Sequence, residues 1–138
     1  MMSLNLRVFC DGGARGNPGP AASAFVVMDG ENVLTNGGKY LGYATNNVAE
    51  YSAVIFALEW LVSHAEGAER ISFFLDSQLI VKQLSGEFRI KDQKLLGLVL
   101  ALRKIERQLG VPISYQHIPR SQNKLADALV NKILDENR

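Results

Sequence analysis

The chain predicts an α/β fold built on a five-stranded mixed sheet flanked by helices, with elements in the order βββαβααβα. Three observations carry this. Two short apolar runs flank the turn signal Asp29-Gly30, as in a hairpin. A helical period of apolar residues begins near Asn47 and lasts to His64. After it, short apolar runs alternate with helical patterns, which implies parallel strands joined by crossovers.

Each element follows from local sequence. Leu4 to Cys10 alternates weakly and reads as the first strand, and four glycines follow between positions 12 and 19. Ala21 to Met28 and Asn32 to Tyr40 form the hairpin around Asp29-Gly30. The helix from Asn47 to His64 sets Val48, Tyr51, Val54, Ile55, Leu58, Leu61 and Val62 on one side. Ile71 to Leu75 reads as a short buried strand, then Ser77 to Leu84 as a helix. A longer helix from about Asp92 stops at Leu109, before Gly110 and Pro112. Ile113 to Ile118 is the last strand, and a final helix runs from near Ser121 to about Asp135. The first, third, fourth and fifth strands would point the same way. Their C-terminal ends then gather on one edge, where α/β sheets place ligands.

At 138 residues and 47% hydrophobic composition, a single domain over 1–138 with a sizeable core is expected. No apolar run approaches the roughly 20 residues of a membrane span, and Met1 to Arg7 lacks a signal-peptide profile. The one cysteine, Cys10, excludes an internal disulfide and suits a reducing, cytoplasmic setting. It reads as a small buried apolar residue. The net charge of +1 decides nothing, but Lys82 to Arg107 holds seven bases against three acids. Solvated helix faces and a polyanion partner both account for that excess.

Four acids converge in this topology. Asp11 ends the first strand and Asp76 the fourth. Glu50 falls in the first turn of the helix leaving the third strand, and Asp127 about two turns into the last helix. Each has a plain structural role available: a turn for Asp11, a capping box with Asn47 for Glu50, an N-cap for Asp76, a surface position for Asp127. Four such roles would have to coincide on one edge. Gathered acids repel and would take up protons without a counter-charge. Oxygen-only ligands favour magnesium or manganese over zinc, and no Cys/His zinc spacing exists. Two ions roughly 4 Å apart suit in-line phosphoryl displacement, so phosphodiester hydrolysis is the expected reaction class.

The residues that carry this chemistry resemble a known family. Cys10-Asp11-Gly12-Gly13 with Gly16-Asn17-Pro18-Gly19, then Thr45-Asn46-Asn47-Val48-Ala49-Glu50, Asp76-Ser77-Gln78 and Asn123-Lys124-Leu125-Ala126-Asp127 look like the four blocks of type 1 ribonuclease H. The resemblance covers about Leu6 to Leu134 and implies a ribonuclease H-like fold. It implies cleavage of the RNA strand of RNA–DNA hybrids with two Mg2+ ions, which Mn2+ can replace, giving 5′-phosphate and 3′-hydroxyl ends. By that likeness Asp11 would bridge both ions, Glu50 and Asp76 would hold the leaving-group-side ion, and Asp127 would complete the nucleophile-side ion. Backbone of the segment from Gly12 and Gly13 through Arg15 to Gly16 would approach the 2′-hydroxyls in the minor groove, together with Asn17, Asn47 and Gln78. Thr45 matches the position that holds a DNA-strand phosphate. A monomer is expected.

The chain departs from longer family members in two places. Only Ser85 to Lys91 stands where they carry a basic handle, leaving Phe88 and Arg89 as a smaller contact. Many members also have a mobile loop histidine before the last acidic helix. Here His117 falls inside the strand, and Arg120 is the candidate helper for phosphate contact or product release. Some short, handle-free members, especially archaeal-like ones, also cut double-stranded RNA, so that substrate stays open. A non-catalytic nucleic-acid-binding module on the same fold is the alternative. The glycine spacing fits neither a dinucleotide nor a P-loop fingerprint, and neither histidine sits near a nucleophile elbow.

Overall fold

The computed structural model describes residues 5–138, so Leu4 lies outside the described residues. Its elements are β1 (Asn5–Ala14), β2 (Gly19–Asp29), β3 (Asn32–Ala44), α1 (Asn46–His64), β4 (Arg70–Leu75), α2 (Gln78–Leu84), α3 (Gln93–Leu109), β5 (Ile113–His117) and α4 (Lys124–Glu136). The five strands form one sheet in the order β3-β2-β1-β4-β5. β1, β2 and β3 pair antiparallel, whereas β4 runs parallel to β1 and β5 parallel to β4. The crossover through α1 therefore lays β4 beside β1, putting the strand that leads to Asp76 next to the one that carries Asp11.

Helices cover both faces. On one, Leu6, Val8 and Cys10 of β1, Phe25 and Val27 of β2, and Phe73 of β4 pack with Tyr51, Val54, Leu58 and Leu61 of α1. α3 packs outside α1. On the other, Ala22 and Ala24 of β2 meet Val130 and Leu134 of α4. Adjacent residues of β2 thus face opposite layers, both buried. This explains why the central strands show little polar alternation.

Several boundaries differ from the sequence expectation. β1 does not end at Asp11. Its ladder with β2 continues through Asp11↔Ala24, Gly12↔Ser23 and Gly13↔Ala22 to Ala14↔Ala21, so Gly12 and Gly13 are strand rather than loop. β3 extends past Tyr40 to Ala44 because β2 already begins at Gly19 and supplies pairing partners. The last helix starts at Lys124, after a single 3-10 turn at Arg120–Gln122. Asp127 therefore sits in its first turn, not two turns in. Val62, expected on the buried side of α1, is 44% exposed because it lies outside the arc facing β1 and α3.

Gly12 has a packing reason to be glycine. A Cβ there would overlap the Ala49 backbone and lie 2.6 Å from the Glu50 nitrogen. Ser23 of the neighbouring strand reinforces the approach by donating its hydroxyl to the Ala49 carbonyl at 2.5 Å. A Cβ on Gly13 would meet only Val130 Cγ1 at 3.9 Å and Asn46 Oδ1 at 4.0 Å, ordinary contacts. Gly12→Ala should therefore cost roughly 1–3 kcal/mol through overpacking, with Gly13→Ala clearly milder. Urea unfolding of the two variants checks this; equal midpoints would contradict the close approach as a stability determinant.

Candidate active site

Three elements deliver three carboxylates to one point. Asp11 lies in β1, Asp76 just past the end of β4, and Glu50 in α1, which Gly12 lets come close. One oxygen from each lies within 4.8 Å of the others. Glu50 is in the second turn of its helix, because Thr45 caps α1 by accepting from the Val48 N–H at 3.2 Å. Neither Asn47 nor Glu50 is thus used as a cap. Asp76 is spared likewise, since Ser77 caps α2 by accepting from the Ile80 N–H at 3.3 Å.

The cleft around these acids has a volume of about 380 Å³ and is also lined by Gly12, Gly13, Arg15, Arg120, Asp127 and Asn131. Asp127 stands outside the three-acid cluster but lines the same cleft, and its charge bears on the Asp11 carboxyl. It accepts from the Arg120 guanidinium at 3.2 Å. Arg120 is otherwise exposed at the mouth of the cleft.

Electrostatics mark the cluster as incomplete without a cation. Burial, then the Asp76 and Asp127 charges, push the Asp11 carboxyl up to about 7. Burial, then Asp11 and Asp76, push Glu50 up to about 8. Glu50 Oε2 is buried with no hydrogen-bond partner. An unsatisfied buried carboxylate oxygen is costly in a protein interior. A divalent cation held by Asp11, Glu50 and Asp76 would satisfy that oxygen and remove the repulsion, so the donor set fits a hard metal ion.

The remaining expected contacts spread over four places. Asn17, Thr45 and Asn47 line a second cleft of about 370 Å³, with Tyr43 and Lys94 on its walls. Asn17 Oδ1 is already engaged, accepting from the Asn46 N–H at 3.0 Å. Arg15 is drawn away to Asp135, 2.8 Å distant on α4. Gln78 is exposed on the first turn of α2. Phe88 is half-exposed with the Lys82 ammonium 4.9 Å from its ring centre, and Arg89 is exposed beside it. His117 is the last residue of β5, which stops one residue short of the expected Ile118, and Cys10 is buried and free.

The sequence motifs include Asn46 and Asn123 but assign neither a role. Asn46 clasps the turn after β1, because its Oδ1 accepts from the Ala14 N–H at 2.8 Å. Asn123 is buried and bonds both the Cys10 carbonyl and Asp76. Lys94 was visible only as one base in a basic stretch. No local pattern reveals these contacts, since each spans elements distant in the chain.

A sheet of this order, with acids from β1, β4 and the intervening helix meeting at its edge, defines the ribonuclease H-like class of folds. Comparison with known proteins agrees. The reverse transcriptase-like family matches residues 9–133. The bifunctional protein Rv2228c of Mycobacterium tuberculosis is 40% identical over 134 residues, 96% of this chain and 36% of that protein. Ribonuclease HI of Halobacterium salinarum is 39% identical over 132 residues, 95% of this chain and 65% of that one. The chain thus spans about a third of the mycobacterial relative's length and just under two thirds of the halobacterial one's. Among solved structures, LC11 ribonuclease H1 from compost, in complex with an RNA/DNA hybrid, superimposes with a TM-score of 0.91 at 37% identity, covering 96% of this chain and 98% of that one. The N-terminal ribonuclease H domain of Rv2228c gives 0.89 at 38% identity, covering 97% and 96%. This chain belongs to the ribonuclease H family, of type 1.

The raised carboxyls predict a pH dependence. Unfolded Asp and Glu titrate near pH 4, whereas folded Asp11 and Glu50 keep their protons up to about 7 and about 8. Between those limits the folded state binds more protons than the unfolded one, so stability falls as pH rises. With chelator present, the melting temperature should drop from about pH 5 to about pH 8, and Asp11→Asn should flatten the drop. An unchanged slope in that variant would refute the assignment.

Proposed function

We propose that this chain is a metal-dependent endoribonuclease that hydrolyses the RNA strand of RNA–DNA hybrids, leaving 5′-phosphate and 3′-hydroxyl ends. The single observation carrying this reading is the meeting of buried Asp11 with half-buried Glu50 and Asp76, with Glu50 Oε2 unsatisfied. A module that only bound nucleic acid would gain nothing from three acids that repel both one another and a phosphate backbone. The solved relative in complex with an RNA/DNA hybrid supports the substrate class.

Asp11, Glu50 and Asp76 would hold Mg2+, with Mn2+ able to substitute, and Asp127 would complete a second position beside Asp11. Bound ions supply an activated water and neutralise charge at the leaving oxygen. The chain's own residues orient the substrate. Asn17, Thr45 and Asn47 line the neighbouring cleft, where hydroxyl and amide groups can grip sugar and phosphate without reading bases. The backbone at Gly13 and the Arg15 segment border the acidic cleft, and Gln78 would add a contact from the exposed first turn of α2. Phe88 and Arg89 offer a small basic and aromatic grip in place of a handle. Arg120, parked on Asp127, can turn to the scissile phosphate as a charge-assisted donor.

One domain over 1–138 would carry the whole reaction. All four acids come from one chain, which suits a monomer. The single free, buried Cys10 suits a reducing cytoplasm. No helix among the described residues is long and apolar enough to cross a membrane.

Labelled RNA–DNA hybrid, double-stranded RNA and double-stranded DNA, each assayed with Mg2+, Mn2+ or chelator, test the reading. Hybrid cleavage that chelator abolishes is expected. Asp76→Asn should lose at least the roughly 10- to 100-fold that even an outer-shell change costs at a metal site. Cutting in chelator, or full activity in that variant, would refute the proposal. The double-stranded RNA arm decides whether this substrate is also used. Arg120→Ala should lower kcat more than it raises KM; unchanged turnover would remove Arg120 from the mechanism.

A further inference from the structure

Asn123 occupies the position that caps α4, yet its side chain makes no cap hydrogen bond. Asparagine is among the most favoured N-cap residues, so this side chain is withheld from its ordinary use. It turns inward instead and is 1% exposed. There its Nδ2 donates to the Cys10 carbonyl at 2.8 Å and to Asp76 Oδ2 at 3.1 Å. Its Oδ1 is left buried and without a partner. The opposite amide orientation would set an oxygen against a carbonyl and a carboxylate, so the two acceptors fix which way the group points.

The location explains the use. The last parallel pair between β1 and β4 is Phe9↔Phe74. Beyond it the two strands part, one carrying Asp11 and the other leading to Asp76. Asn123 fills this fork, bonding one strand's backbone and the other's carboxylate with a single NH2 group. Its own carbonyl accepts from the Asp127 N–H at 3.1 Å, which ties the fourth acid into the same arrangement.

We propose that Asn123 is a positioning residue of the active site: its carboxamide orients Asp76 and sets the spacing between the strands that present Asp11 and Asp76. It touches neither substrate nor reacting atoms and acts through Asp76. The orphaned Oδ1 is the cost of pointing both donors at the fork. This inference rests on the metal-dependent reading above.

The test uses Asn123→Leu, which keeps the branched shape while removing both donors, and Asn123→Ser, which is smaller and keeps one. Metal affinity is read without turnover, as the Mg2+ concentration giving half the maximal rise in melting temperature. Asn123→Leu should raise that concentration roughly 10- to 100-fold, and Asn123→Ser should fall between it and the parent. Excess Mg2+ should recover part of the lost kcat. In an Asp76→Asn background, Asn123→Leu should add little further loss, because the residue acts through Asp76. A lower melting temperature with an unchanged Mg2+ midpoint and additive losses would make Asn123 merely structural and overturn the proposal. If Asn123→Leu does not fold, the Asn123→Ser midpoint decides in the same way. A parent protein with no Mg2+-dependent shift would instead overturn the metal-dependent reading itself, which separates the two failures.

Discussion

The structure depends on how closely the backbone of α1 approaches β1. At Gly12 the strand has no side chain, and the helix passes where a Cβ would collide with Ala49 and Glu50. Ser23 bonds the same helix turn from the neighbouring strand. That contact brings Glu50 beside Asp11. Glycine has no Cβ to keep strand and helix apart. The glycine-bearing segment expected to approach the substrate is thus partly a packing surface, with the ligand-facing chemistry on Asp11 just before it.

From this approach follows the electrostatic character of the site. Carboxylates brought together and shielded from water raise one another's proton affinity. Folding energy elsewhere must hold them there, chiefly the apolar layer between α1 and the sheet, where Leu6, Val8, Tyr51, Leu58 and Phe73 are almost fully buried. The site is therefore a local weakness in a well-packed frame. Functional centres recurrently have this character, since the groups that bind or react are not the groups that best stabilise the fold.

The second cleft lies beside the first but has a different chemistry. Asn17, Thr45, Asn47 and Lys94 provide hydroxyl, amide and ammonium groups, and the one carboxylate on its wall, Asp92, is engaged as the cap of α3. α1 begins between the two, with Thr45 at its cap and Glu50 a turn later. One helix start thus separates a cation-seeking site from an anion-tolerant one. This division would suit the proposed substrate, a duplex whose one strand reacts while the other is gripped.

Much of this was legible in the chain. The element order, the Asp29-Gly30 hairpin and the four acids with their motifs could be read directly, because periodicity, turn chemistry and short motifs are local. Boundaries near the site could not. Strand β1 outruns its apolar run because β2 supplies pairing partners for Gly12 and Gly13, and pairing is a property of two strands. The start of α4 shifted because the chain first makes a 3-10 turn and Asn123 turns inward. The sequence by itself determined which groups could bind metal and roughly where the sheet would present them. Only the tertiary structure decided that three of the four acids form the tight cluster, that Arg15 is held by Asp135 and Arg120 by Asp127, and that a buried amide spans the fork between the strands. Those outcomes depend on angstrom-scale distances between segments far apart in the chain, and such distances are set by packing rather than by any local run of residues.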